Sequence, residues 1–336
     1  MRIEHDVSLR QKNTFGIEAK AESLVLFEQN TDAEIESLFQ QVQHIPTLIL
    51  GGGSNVVFTS ATIPLVLQHS GQKIEVAKRD DNTVLVTADA GWDMDCLVQH
   101  CISNGWYGLE NLSAIPGTVG ASVVQNVGAY GVEAKDVVHS VDVVDLQCRE
   151  VLHMTNAECQ FGYRDSLFKH FPNRFFVLRV AFLLSTHFHP CLDYKALQTR
   201  FERRENSSIS ATEMRSEICN LRWSKLPRPE ENGSAGSFFK NPVISKADFV
   251  ALGSRFANIP GHEVDTMVKV PAAWLIEYCG WKGRSMGRAA VWPKQPLVIY
   301  NTGNCSGKEV RALAESIQQD VFNTFGIALQ TEAMFV

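Results

Sequence analysis

Residues 233–242, GSAGSFFKNP, place a hydroxyl (Ser237) among small residues and follow it with two aromatics, a lysine and an asparagine. Glycine at 233 and 236 opens backbone conformations closed to other residues, or lets a flat ligand approach closely. The same pattern also marks an ordinary turn ahead of a short strand. It is not a nucleophile elbow. The G-x-S-x-G spacing needs glycine two residues before the serine, and Ala235 stands there.

Two glycine-rich segments lie nearer the N-terminus: GGGSN at 51–55, and the stretch 116–131. The first fails the G-x-G-x-x-G fingerprint because Val56 occupies the last glycine position, and the VVF that follows reads as a strand, not a helix. A Walker loop fails too. GNCSGKE at 303–309 is one residue short and has Glu309 where a magnesium-binding Ser or Thr belongs, which leaves Lys308 as a first-turn helix residue. His187 and His189 alternate as on a strand and lack a helical partner pair, so no metal site is expected. Exposed amide donors on such glycine turns form anion nests without a lysine. Two together would clasp a pyrophosphate, which points to a nucleotide-containing cofactor held by backbone.

The rest of the chain sets bounds on this chemistry. With 336 residues, 45% hydrophobic and 20% charged, it reads as a globular protein of two or three domains. A net charge of −6 argues against nucleic-acid binding. The eight cysteines are dispersed with no C-x-x-C pair, which suits a reducing cytoplasm. The first residues are polar and suggest no signal peptide. The most apolar run, FFVLRVAFLL at 175–184, is broken by Arg179 and too short to span a bilayer.

The elements that must position these groups are legible in part. Strand patterns at 23–28 and 47–50 flank a helix that opens on a Thr31/Glu34 capping box, a βαβ unit that ends at the GGGSN turn. Two β-rich segments at 72–90 flank an Asp80-Asp81-Asn82 turn, and a helix follows from Asp93 to Asn104 with Gly105 as its cap. Residues 107–131 show no period and read as a long functional loop. Strands are expected at 140–146, 150–154 and 175–184, helices after Ser210 and at 246–256, 271–279 and 307–322, and a closing strand in IALQTEAMFV. The class is α/β or α+β.

NTFGI at 13–17, LGGGSNVVF at 50–58, GLENLSAIPGTVGASVVQNVGAYG at 108–131, FGYRDSLFK at 161–169 and GSAGSFFKNP together resemble the UDP-N-acetylenolpyruvoylglucosamine reductases, in that family's order and over essentially the whole chain. The resemblance implies an α+β protein with a two-lobed flavin domain of the vanillyl-alcohol oxidase (PCMH) type and a C-terminal α+β substrate domain. Lobe 1 would span 1–70, joined by the terminal strand 325–336, lobe 2 would span 71–205 and the UDP-sugar domain 206–324. It implies FAD and NADPH as cofactors, a UDP-sugar enolpyruvyl ether as substrate in bacterial peptidoglycan synthesis, and a monomer with no membrane or nucleic-acid partner.

The resemblance also implies roles for individual residues. Gly51, Gly52, Gly53, Ser54, Asn55, Ile115, Pro116, Gly117, Ser122 and Gly128 would hold FAD. Ser237 would donate a proton, with Arg164 and Glu332 completing the catalytic set. Tyr194, which sits in CLDYKAL as in the tyrosine loop of the longer family type, would contact the UDP portion with Lys225 and Asn241. Two positions depart from the family: Met334 replaces an arginine, and Trp292-Pro293 replaces a more polar pair. The competing reading is a UDP-sugar-binding protein that kept the scaffold and lost redox activity.

Overall fold

The structure is a computed structural model that describes residues 1–43, 45–229 and 231–336. The chain divides into two compact units: residues 1–7, 20–52 and 62–224 form the first, and 8–19, 53–61 and 225–336 the second. The chain thus passes from one unit to the other between Gly52 and Gly53, inside the glycine turn.

Two large sheets form most of the first unit, beside a two-stranded ladder of Gly128–Ala129 with Val132–Glu133. Strands β1 (Arg2–Ser8), β2 (Lys20–Phe27), β3 (Thr47–Ile49) and β4 (Thr62–His69) are arranged β1-β2-β4-β3, with helix α1 (Asp32–Gln41) between β2 and β3. β2 and β3 both run parallel to β4, which separates them, so the expected βαβ unit exists with a strand inserted at its centre. Thr31 caps α1 by accepting from the Glu34 N–H, but the Glu34 carboxylate turns to the amides of Gln29 and Glu28, so the box is not reciprocal.

The second sheet is antiparallel. Its strands are β5 (Ile74–Lys78), β6 (Thr83–Asp89), β7 (Val138–Asp145), β8 (Glu150–Thr155) and β9 (Phe175–Ser185), in the order β8-β7-β9-β6-β5. Period-two alternation turns Val84, Val86, Val141, Val180 and Phe182 toward helices α2 (Met94–Ser103) and α3 (Val119–Val124), which supply Leu97, Val98, Val119 and Val123 to one core. A second core joins Ile35, Leu38 and Phe39 of α1 to Val25, Leu65, Val144 and Phe176, so both sheets close on shared side chains.

Two expectations are corrected here. The long loop at 107–131 contains α3 and a 3-10 turn at Glu110–Leu112, because Thr118 caps an otherwise aperiodic run through its side chain. His187 and His189 lie beyond the end of β9, not on a strand. Helix α5 (Ala211–Lys225) packs Met214, Ile218 and Leu221 on Leu197 and Phe201 of α4 (Lys195–Phe201), so it belongs almost wholly to the first unit. Its polar composition conceals a short apolar stripe that finds its partner upstream.

The second unit contains β10 (Ser234–Ser237), β11 (Val243–Ser245), α6 (Lys246–Arg255), β12 (His262–Val264), β13 (Met267–Lys269), α7 (Ala272–Tyr278), β14 (Ser285–Met286), β15 (Ala289–Val291), β16 (Val298–Asn301) and α8 (Gly307–Phe325). These make a sheet ordered β10-β16-β15-β14 and a smaller one ordered β11-β13-β12. Ser306 and Glu309 cap α8 reciprocally, and Lys308 is in its first turn, as the sequence indicates. The closing strand is shorter than expected: only Met334–Phe335 forms a ladder, parallel to Val56–Val57. No helix among the described residues is long and apolar enough to cross a membrane.

Candidate active site

In the first unit the two glycine segments meet. A Cβ on Gly52 would lie 2.8 Å from the Gly117 Cα, and one on Gly51 would lie 2.7 Å from the Ala121 Cβ and 2.9 Å from the Thr118 Oγ1. Any side chain at either position forces the backbones apart. Gly117 itself has φ +123°, a conformation L side chains rarely adopt. Among the described residues, the backbone N–H groups of Gly51, Gly52, Gly117 and Thr118 have no hydrogen-bond partner. Four such donors lie close together there, and unpaired amide donors of this kind form an anion nest.

The loop before Gly117 is held from behind. Asp95, in the first turn of α2, accepts from the Ala114 N–H and pairs with both Nη atoms of Arg215 on α5, 2.8 Å at Nη2. Burial pushes the Asp95 carboxyl up, but Arg215 and the Ala114 amide outweigh it and hold it below the usual range. Ile115 packs partly buried on the α2–α3 core. Ser122 is 2% exposed and its hydroxyl donates to the Val119 carbonyl, so it enters the cradle only through its small size and remaining lone pair.

Arg164 sits in a tight hairpin closed by the Gly162 and Asp165 backbones, with φ +53°. That left-handed conformation is costly for a long side chain and is kept where the surroundings impose it. Its Nη2 donates to the Gly128 carbonyl at 2.7 Å, which links two of the expected site residues, while Asp165 pairs with His170 at 2.7 Å. Tyr194 caps α4 at 40% exposure, its ring edge-on to Tyr130 at 5.2 Å.

One residue escaped sequence reasoning. Arg222 lies on α5 four residues after the buried Ile218, and its Nε is buried with no hydrogen-bond partner in the structure. Burial pulls its pKa down, with Tyr130, Asp95 and Cys219 as its electrostatic neighbours. A buried guanidinium donor left unpaired points to an acceptor on a ligand. The signal was available in the sequence: a charged residue on the apolar stripe Met214–Ile218–Leu221. Lys225 ends the same helix with its side chain exposed.

In the second unit, Ser237 is the exposed last residue of β10 and its hydroxyl has no partner among the described residues. Gly236, at φ +67°, has nothing within 4 Å of where a Cβ would be, so open space lies next to the serine in the chain. Phe238 and Phe239 behind it are fully buried and edge-on to one another at 5.4 Å. The Phe238 carbonyl accepts from the Glu332 N–H at 2.8 Å, and Asn55 Nδ2 donates to the Glu332 carbonyl at 3.0 Å. The terminal segment therefore brings Glu332 beside both the serine strand and the glycine turn. Gly53, at φ +65°, would place a Cβ 2.0 Å from the Lys12 carbonyl. Asn241 accepts from the Ala272 N–H through Oδ1 and keeps its amide group for another partner. Met334 is exposed, and the Trp292 Nε1 is a buried donor without a partner.

Comparison with known proteins fits this division. Residues 24–153 match the family description "FAD binding domain", and 228–336 match "UDP-N-acetylenolpyruvoylglucosamine reductase, C-terminal domain". A UDP-N-acetylenolpyruvoylglucosamine reductase of Pseudomonas putida is 42% identical over 98% of this chain and 97% of its own. The chain belongs to the UDP-N-acetylenolpyruvoylglucosamine reductase family. A Flavobacterium johnsoniae reductase of the same name is 38% identical over 99% of both chains. The crystal structure of the Thermus caldophilus reductase superposes with a TM-score of 0.70 at 25% identity, over 100% of this chain and 99% of that one. The chain is thus an FAD-binding oxidoreductase of the expected α+β class, a flavin domain followed by the reductase C-terminal domain. Nothing in these matches favours a scaffold that lost its redox activity. The facing glycine backbones and their unpaired amides suit a dinucleotide's pyrophosphate, so the residues present fit FAD.

Proposed function

We propose that this reductase converts UDP-N-acetylglucosamine enolpyruvate to UDP-N-acetylmuramate with NADPH, using Arg164, Ser237 and Glu332 as its catalytic groups. The observation that carries the reading is the nest of unpaired amides where Gly52 meets Gly117. When bound, FAD supplies the redox step by accepting hydride from NADPH and passing it to the substrate. The chain's own residues supply the rest. Arg164 pairs its planar fork with the enolpyruvyl carboxylate, into which charge spreads as the double bond is reduced. The unpartnered Ser237 hydroxyl hands a proton to the adjacent carbon. Glu332, fixed by its backbone beside Phe238 and Asn55, orients that donor and faces the developing charge.

Gly51, Gly52, Gly53, Ser54, Asn55, Ile115, Pro116, Gly117, Ser122 and Gly128 form the flavin cradle in this reading. Tyr194, Lys225 and the free amide of Asn241 take the UDP portion, and Arg222 offers its Nε to a bound ligand. The protein acts as a cytoplasmic monomer without membrane or nucleic-acid partners, a reading supported by its net charge of −6 and by eight cysteines that are all free.

The purified protein should show flavin absorbance bands, and should oxidise more than one equivalent of NADPH per flavin only when the enolpyruvyl UDP-sugar is present. A colourless, folded protein that takes up no FAD would overturn the proposal.

A further inference from the structure

The antiparallel sheet of the first unit has a second face, opposite the one covered by α2 and α3. Two cross-strand rows run over it. Glu75, Thr87, Ala181 and Ser140 are successive partners across β5, β6, β9 and β7, and Asp89, Arg179, Asp142 and His153 across β6, β9, β7 and β8. The small side chains of the first row leave a trough of about 320 Å³, lined also by Arg79, Leu85 and His139. That volume is at the lower end of small-ligand pockets, roughly 300–1,000 Å³.

The polar groups of this trough fall into two sets. The acids are already paired. Asp142 accepts from Arg179 at 2.8 and 3.1 Å and from His153 at 2.6 Å, and Glu75 pairs with Lys73 and, at 3.7 Å, with Arg179. The groups with no side-chain partner among the described residues are all able to donate: the Arg79 guanidinium, the His139 ring, and the Thr87 and Ser140 hydroxyls. Ser140 is only 4% exposed as a residue, yet its hydroxyl is not one of the buried unpaired atoms among the described residues, so the oxygen reaches solvent through the trough. With Lys73 and Asp89 included, three cations (Lys73, Arg79, Arg179) face three anions (Glu75, Asp89, Asp142), so a preference for an oxyanion comes from the uncommitted donors and not from net charge.

We infer that this trough binds a small molecule through an oxyanion group, phosphate or carboxylate, with Arg79, His139, Thr87 and Ser140 as its donors and Leu85 and Ala181 under its apolar part. The Arg79 fork matches either oxyanion, and Ser140 supplies the fixed point that an exposed arginine lacks. None of these residues belongs to the flavin cradle or to the proposed catalytic set, so this is a second site on the enzyme.

The test is amide NMR of the FAD-loaded protein, titrated separately with inorganic phosphate and with acetate at constant ionic strength. Saturable shifts are expected at Thr87, Ser140 and Ala181 with at least one of the two anions, and the stronger response identifies the oxyanion. The double variant Arg79→Gln/His139→Gln should weaken that binding about tenfold or more, the equivalent of one lost charge-assisted contact, with turnover unchanged. Ser140→Ala should weaken it in the same direction through one oxygen. Linear, unsaturated shifts at these amides, or equal affinity in wild type and double variant, would overturn the inference.

Discussion

Gly52 and Gly117, 65 positions apart in the sequence, lie with their backbones so close that one added methyl would sit 2.8 Å from the opposite Cα. Backbone cannot yield to that contact as a flexible side chain would. Gly52→Ala should therefore purify with little or no FAD while its circular dichroism stays that of the wild type. Gly253→Ala is the matched control: it lies in α6 with nothing within 4 Å of the new atom, and should keep stoichiometric flavin. Absorbance ratios of flavin to protein decide the matter, and full flavin in Gly52→Ala would refute the cradle.

Ser237 separates the two half-reactions. In the proposed role its hydroxyl takes no part in reduction by NADPH, so Ser237→Ala should bleach the flavin at the wild-type rate. Reoxidation by the enolpyruvyl substrate should slow by roughly 10²–10⁴-fold, the usual cost of a lost general acid. Stopped-flow absorbance on each half-reaction measures this. Equal slowing of both halves would make the serine structural.

Asp95 and Arg215 act on the cofactor loop through the Ala114 N–H. Asp95→Ala removes the ion pair and that acceptor together, and should cost about 1–3 kcal/mol, below the value for a fully buried pair because Asp95 keeps some solvent. FAD affinity should fall in Asp95→Ala, with partial rescue in Asp95→Asn, which can still accept from Ala114. Fluorescence titration of the apoprotein with FAD reads both. Unchanged affinity in the alanine variant would detach this pair from the cradle.

His69 predicts an acid-sensitive step in stability. The residue is 7% exposed; its Nδ1 accepts from the Gly71 N–H and its Nε2 faces the Asn30 side-chain oxygen, which suits the neutral ring. Burial pulls its pKa down to about 4. The unfolded chain binds the proton first, near the ordinary value of about 6.5, so stability falls as pH drops from there toward 4. The full loss is about 3 kcal/mol at roughly 1.4 per unit. Denaturant unfolding of wild type and His69→Gln across that window should show a smaller pH slope in the variant.

The sequence alone determined the parts that depend on local rules. Capping residues and apolar periods placed α1, α2, α6, α7 and α8 to within a few residues, because Thr31, Asp93, Ser245 and Ser306 each cap the helix they precede. Apolar, β-branched runs placed the strands of the antiparallel sheet, one face of which packs on α2 and α3 while the other is covered only in part. The motifs also sufficed to name the family and to single out Ser237.

Tertiary structure decided what depends on distant backbone. Nothing local in 51–52 or 116–118 specifies that the two segments touch; that follows from both folding into one compact unit. α5 reads as polar until α4 is seen to complete its core, which groups the helix with the first unit and places the buried Arg222 Nε on its stripe. The terminal segment reads as one longer strand, yet only Met334–Phe335 pairs in a ladder, and hydrogen bonds to Phe238 and Asn55 fix the course before it. The trough on the open sheet face has no sequence signature at all. It arises from register alone, which sets Thr87, Ala181 and Ser140 side by side from three strands.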